Sequence, residues 1–188
     1  YWRYTRGTSF ANSINLGTLT SGTTLTHFNS NECYTNYYPS SSGNDVIYSF
    51  DITNPTGVNI SLCGVNGAQY DSYLYLVKDT TVIAISENDN YCANQSELAT
   101  ALCETGTYYV VVDATSAAEL GTFTLLITED PSSAFSSTSV VTDVSCNAGS
   151  DGQINTTLTG GYPPYVFSWF NFTMNPILIN SPTSNITD

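Results

Sequence analysis

Apolar and polar residues alternate one for one through much of the chain, which is the period of half-buried β-strands rather than of helices. In the segment 46–52, Val46, Tyr48, Phe50 and Ile52 share one face, and Ile47, Ser49 and Asp51 share the other. A turn at Asn54-Pro55-Thr56-Gly57 follows, and Val58, Ile60 and Leu62 then resume the alternation, so the spacing predicts a hairpin. Further strands are predicted over 72–77, 81–86, 107–113 and 122–128, divided by Gly, Asn and Asp clusters. Residues 108–112 read Tyr-Tyr-Val-Val-Val, apolar on both faces, and this predicts a central strand with one face in the core and the other covered.

The segment 96–102 has helix-forming residues behind a cap at Asn94 or Ser96, yet Leu98, Thr100 and Leu102 also alternate. In an otherwise all-β chain the strand is the consistent reading, with Glu104-Thr105-Gly106 turning it into a hairpin with the Tyr108 strand. Residues 129–138 run Glu-Asp-Pro-Ser-Ser-Ala-Phe-Ser-Ser-Thr and lose all periodicity. They divide the chain into a β-sandwich over 1–129, a linker over 130–138 and a smaller β-unit over 139–188, with strands beginning at Ser139 and over 154–159 and 165–170.

Composition sharpens this picture. Thr (27), Ser (23) and Asn (18) fill more than a third of the 188 residues, whereas only 10 % are charged. With 3 cations, Arg3, Arg6 and Lys78, and a net charge of −13, the chain has nothing to neutralise a phosphate backbone, so a nucleic-acid partner is excluded. No stretch approaches the length of an apolar membrane span, and the first residues lack a basic region followed by an apolar one, so an export signal is expected upstream or removed. His27 is the single histidine; it lies in an alternating Thr-Leu-Thr-His-Phe run and is expected to face solvent on a strand. No nucleophile elbow, phosphate loop or dinucleotide fingerprint occurs, so the chain is expected not to be an enzyme.

Cys33, Cys63, Cys92, Cys103 and Cys146 form no Cys-x-x-Cys pair, which points to disulfides in an oxidising, extracellular setting. Cys92 and Cys103 bracket a strand of roughly 23 Å, too long for a direct bridge. Of the three connectivities open to the first four cysteines, Cys63 with Cys92 and Cys33 with Cys103 is the expected one. Glu87 and Asp89, with Asn88 and Asn90, put oxygen donors on one loop that Asp71 and Asp113 can approach. Calcium suits such donors, although the EF-hand spacing is absent and Asn/Asp clusters are also ordinary turn chemistry; no other cofactor is called for. Tyr34, Tyr37 and Tyr38 in the long loop before Val46, and Trp2 in the aromatic start, are candidate contact residues for a glycan or protein ligand. Other domains or copies of the same protein are the further expected partners, through β-strand contacts.

Two resemblances add to this reading. The blocks Asn44-Asp45-Val46-Ile47-Tyr48-Ser49-Phe50, Tyr70-Asp71-Ser72-Tyr73-Leu74-Tyr75-Leu76, Asn88-Asp89-Asn90 and Gly106-Thr107-Tyr108-Tyr109-Val110-Val111-Val112-Asp113 resemble, in order and spacing, the bacterial pre-peptidase C-terminal domain over residues 10–129. That resemblance implies a jelly-roll-like antiparallel β-sandwich, appended to exported proteins and not itself catalytic. Thr142-Asp143-Val144-Ser145-Cys146-Asn147-Ala148-Gly149-Ser150-Asp151-Gly152-Gln153-Ile154 and Gly160-Gly161-Tyr162-Pro163-Pro164-Tyr165-Val166-Phe167-Ser168-Trp169 resemble the SprB-type repeat of gliding-bacterial adhesins, with Ala148 where the repeat usually has Gly.

The second resemblance implies an Ig-like fold, tandem repeats on a Bacteroidota cell surface and type IX export. The repeat's closing Ala-Gly-x-Tyr strand and Gly-Cys do not occur by Asp188, so this second, smaller sandwich is expected to be incomplete here. Chain beyond Asp188, or a strand from another subunit, would complete it, and Cys146, unpaired within this chain, would find its partner there. The expected function is a non-catalytic, extracellular structural or adhesive module of a large cell-surface or filament-forming protein. The alternative is a polysaccharide- or protein-binding accessory module of a secreted hydrolase.

Overall fold

The computed structural model describes residues 6–80, 83–130, 136–147, 149, 151–160, 167–170, 176–181 and 185–187. After a short 3-10 turn at Phe10–Asn12 come nine strands: β1 (Ile14–Leu19), β2 (Thr24–Ser30), β3 (Val46–Ile52), β4 (Thr56–Ser61), β5 (Ser72–Lys78), β6 (Ala84–Asp89), β7 (Glu97–Leu102), β8 (Gly106–Ala114) and β9 (Thr122–Glu129). They form a five-stranded sheet, β1-β3-β8-β5-β6, and a four-stranded sheet, β2-β9-β4-β7. The chain is all-β, and no α-helix occurs among the described residues.

Strands β2 to β9 alternate between the two sheets at every step except β5 to β6, which is the jelly-roll winding. This corrects two expectations. β3 and β4 are not a hairpin, because the chain crosses at residues 53–55 from one sheet to the other, and β7 and β8 are likewise in different sheets. Alternation fixes which residues point inward but is the same for a hairpin and for an arch over the sandwich end. β5 and β6 do form a hairpin, with β6 three residues later than expected; residues 81 and 82 lie outside the described residues. The sheet is not wholly antiparallel either: β1, absent from the strands expected, pairs parallel with β3.

The inward faces meet in one core. Val46, Tyr48 and Phe50 of β3, Leu74 and Leu76 of β5, and Val110 and Val112 of β8 pack against Val58 and Ile60 of β4, Leu98 and Leu102 of β7, and Phe123, Leu125 and Ile127 of β9. β8 is the middle strand of its sheet, as its two apolar faces require. Its outer face joins a second cluster, in which Phe10 and Tyr38 cover Ile47, Tyr75, Val77 and Val111. His27 faces inward, not to solvent: Leu25, His27 and Asn29 share the inner face of β2, and the His27 ring packs edge-on to Tyr48 at 5.5 Å. Phe28 is the residue of that strand left 66 % exposed.

The disulfide joins Cys63, just past β4, to Cys92, in the turn after β6. Cys33 and Cys103 are free and exposed, so the expected bridge between them is not formed. Cys33 follows β2 and Cys103 follows β7, and these strands are opposite edges of the four-stranded sheet, running in opposite directions. Three interstrand steps are roughly 14 Å, beyond the reach of a disulfide.

In the C-terminal segment β10 (Ser136–Thr142), β11 (Gln153–Thr159) and β14 (Asn185–Thr187) form a three-stranded sheet. β12 (Phe167–Phe170) and β13 (Pro176–Ser181) form a two-stranded one. β10 starts at Ser136, inside the stretch expected to be linker up to 138. Cys146 is free and exposed.

Candidate contact surface

The outer face of the five-stranded sheet gathers Phe10, Tyr37, Tyr38, Tyr73, Tyr75 and Tyr109. Tyr73 and Tyr75 alternate with inward-facing Leu74 and Leu76 on β5 and stack at 4.5 Å with an interplanar angle of 8°. Tyr38 lies on Tyr75 at 4.8 Å, and Phe10 meets Tyr38, Tyr37 and Tyr109 edge-on at 6.3, 5.8 and 5.1 Å. Edge and offset contacts of this kind are attractive beyond their buried area, so the rings hold one another in a fixed column. Tyr37 is 48 % exposed at one end, Tyr73 is half-buried at the other, and Tyr38 and Tyr75 between them are buried.

The loop that supplies Tyr37 and Tyr38 is tied down by two carboxyls. The N–H groups of Tyr37 and Tyr38 donate to Asp45 Oδ2 at 2.6 and 2.5 Å. Asp113, at the end of β8, accepts from the Ser41 hydroxyl and the Ala114 N–H through Oδ1, at 2.8 and 2.7 Å. The two carboxyls hydrogen-bond each other, and Asp45 Oδ1 and Asp113 Oδ2 have no other partner. Two buried oxygens cannot meet without a proton between them. Burial, then the hydrogen bond and charge of Asp113, push Asp45 up to about 8; burial raises Asp113 as well. A Cβ at Gly43 would lie 2.0 Å from the Ala114 carbonyl oxygen, so only glycine lets the loop approach this closely.

Strand register places further acids on this face. Tyr73 stands opposite Asp89 of β6 on one side and Asp113 of β8 on the other, and Tyr75 stands opposite Glu87 and Val111. Glu87 and Asp89 are exposed. Among the described residues no group of three or more acids, histidines or cysteines is close enough to hold a metal. Glu87, Asp89, Asp71 and Asp113 therefore do not converge as expected of calcium ligands: Tyr73 stands between Asp89 and Asp113, two interstrand spacings or roughly 10 Å apart.

Of the three expected contact residues that are described, Tyr37 alone is presented to solvent. Tyr34 is buried, its hydroxyl accepting from Asn29 Nδ2 at 3.2 Å, Tyr38 is sealed within the column, and Trp2 lies outside the described residues. The sequence reading missed Phe10, Asp45, Tyr73, Tyr75 and Tyr109. For the strand residues a signal existed: β5, like β8, carries large apolar or aromatic side chains on both faces, so its outer positions must also be covered or in use.

No curated protein matches the chain. A solved pre-peptidase C-terminal domain of a collagenase from Bacillus anthracis is similar to it at 15 % identity and a TM-score of 0.41, over 62 % of this chain and 93 % of that one. Residues 138–173 match the family model of the SprB repeat.

Proposed function

We propose that this chain is a non-catalytic adhesive stretch of a larger extracellular, cell-surface protein, in which the N-terminal sandwich makes contacts and the SprB-type repeat extends the structure. The observation that carries this reading is the aromatic column on the outer face of the five-stranded sheet. Where one side of an antiparallel sheet is solvated, that side is ordinarily polar; here it holds exposed Tyr37 and half-buried Tyr73 and Tyr109, braced by Phe10 and buried Tyr75 and flanked by Glu87 and Asp89. Rigid tyrosines of this kind contribute large contact area at low entropy cost.

The match to the SprB repeat over 138–173 and the Cys63–Cys92 disulfide support a secreted or surface setting. The resemblance to gliding adhesins extends the proposal to a Bacteroidota cell surface and type IX export. The test is retention of beads coated with the full chain on arrays of polysaccharides and extracellular proteins. Specific retention without release of cleaved product is expected, and cleavage of an arrayed polymer would overturn the reading.

A further inference from the structure

The geometry points to an occupant for this face: an extended segment of a partner protein with arginine or lysine at alternate positions, its cations seated on Tyr73 and between the carboxylates of Glu87 and Asp89. This rests on the reading of the face as a contact surface and names the chemistry of what it meets.

Tyr73 is framed by acids. Asp89 and Asp113 stand opposite it in register across the sheet, Asp71 lies two residues before it, just ahead of β5, and Glu87 stands opposite its neighbour Tyr75. One ring face is covered by Tyr75, which leaves the other toward the Asp71 end of the strand. A tyrosine ring beside the exposed carboxylates of Glu87 and Asp89 is the environment that binds guanidinium or ammonium groups, through the ring quadrupole and charge-assisted hydrogen bonds together.

No ion pair among the described residues engages Glu87, Asp89 or Asp71. The described cations are Arg6 and Lys78, and Lys78 pairs with Glu104 at 3.0 Å at the far end of β5. Asp71 Oδ1 is buried without a hydrogen-bond partner, and Asp71 holds the carboxyl of Asp89 up, after the effect of burial. A cation placed between them would relieve that repulsion.

The spacing argues for an extended polypeptide rather than a lone cation. Glu87 and Asp89 are two residues apart on one face of β6, roughly 7 Å, which is the repeat of side chains at i and i+2 of a second extended chain. β6 is the edge strand of its sheet, and exposed Ile85 and Tyr91, at 52 % and 66 %, offer apolar contact beside the acids. A second copy of this chain is disfavoured, because each copy carries a net charge of −13.

The test is fluorescence anisotropy of the full chain with labelled acetyl-Arg-Thr-Arg-Thr-Arg-Thr-amide at near-physiological salt, beside the block isomer acetyl-Arg-Arg-Arg-Thr-Thr-Thr-amide. The alternating peptide is expected to bind more tightly than the block isomer. The double variant Glu87→Gln/Asp89→Asn should weaken it about tenfold, as expected for two exposed ion pairs. Tyr73→Leu should weaken it about threefold through loss of the cation–π contact. The control Glu32→Gln/Asp143→Asn removes the same charge elsewhere and should change binding less than about twofold.

Circular dichroism and melting of each variant establish that it is folded, and the surface double variant carries the test if Tyr73→Leu does not fold. Equal weakening by the control double variant would show undirected charge attraction and overturn the inference. So would equal affinity for the two isomers, or stoichiometric displacement by millimolar calcium through the same acids. If neither peptide binds while retention on an array is lost in the Glu87/Asp89 variant, the inference falls and the contact-surface reading stands. If the variant leaves that retention intact, the contact-surface reading falls too.

Discussion

Asp45 and Asp113 hydrogen-bond each other through carboxyls that are fully buried, and each spends its other oxygen on the loop or strand end it stabilises. This pair is what fixes the Tyr37–Tyr38 loop to β8. Asp45 holds its proton far more tightly folded than unfolded, with a folded value of about 8 against an ordinary 3.8. The folded state therefore binds more protons across that window, and stability falls as pH rises from about 4 through about 8. Tyr38 and Tyr75, both raised by burial, stay neutral throughout it. Asp45→Asn keeps an acceptor for the two amides and supplies a permanent donor to Asp113. It should melt as the native chain does at pH 4 and higher by about 3 °C or more at pH 9. A native chain that melts higher than the variant at pH 9 would contradict the shared proton.

Phe10 and Phe28 make a matched pair for the role of the outer cluster. Phe10 is 5 % exposed and braces Tyr37, Tyr38 and Tyr109, whereas Phe28 lies 66 % exposed on the opposite sheet. Phe10→Ala should cost about 3–5 kcal/mol, and Phe28→Ala no more than about 0.5 kcal/mol, by urea unfolding.

The disulfide closes a loop with a sequence separation of 29 between Cys63 and Cys92. Constraint of the unfolded chain makes it worth about 3–4 kcal/mol. Replacing both cysteines with serine should lower the melting temperature by roughly 10 °C. Non-reducing peptide mapping of the native chain should recover Cys63 joined to Cys92, with Cys33 and Cys103 alkylated as thiols.

Because Tyr73 separates Asp89 from Asp113, no converged carboxylate cage occurs among the described residues of the sandwich. Its melting temperature should change by less than about 1 °C between EDTA and millimolar calcium. A rise of several degrees with calcium would show that the acids do close on an ion.

The strands of the sandwich were largely legible from alternation, because a buried face admits one phase of the pattern: Val46, Tyr48, Phe50 and Ile52 point inward as the sequence requires. Their connections were not. Asn54-Pro55-Thr56-Gly57 carries the same turn chemistry whether the chain doubles back in one sheet or arches to the other, and the winding is decided by contacts distant in sequence. β1 was missed because Gly17 interrupts its pattern and β1 pairs irregularly with β3, its register shifting between Asn15 and Thr18. The contact surface was half legible. Loop tyrosines stand out as loop residues, yet Tyr38 is buried against Tyr75 and Phe10, and the half-buried ring of the column, Tyr73, belongs to strand β5 rather than to a loop. The Asp45–Asp113 pair joins positions 68 residues apart and left no local mark.

The central claim, that the tyrosine and carboxylate face of the five-stranded sheet makes this chain's contacts, is tested most directly by comparing faces. Beads coated with the full chain, with Glu87→Gln/Asp89→Asn or with Phe28→Ser would be scored for retention on the same polysaccharide and protein arrays. Loss of retention in the Glu87/Asp89 variant, with Phe28→Ser retained as the native chain is, is the predicted result. Loss in Phe28→Ser with retention intact in the Glu87/Asp89 variant would place the contacts on the opposite sheet and contradict the account.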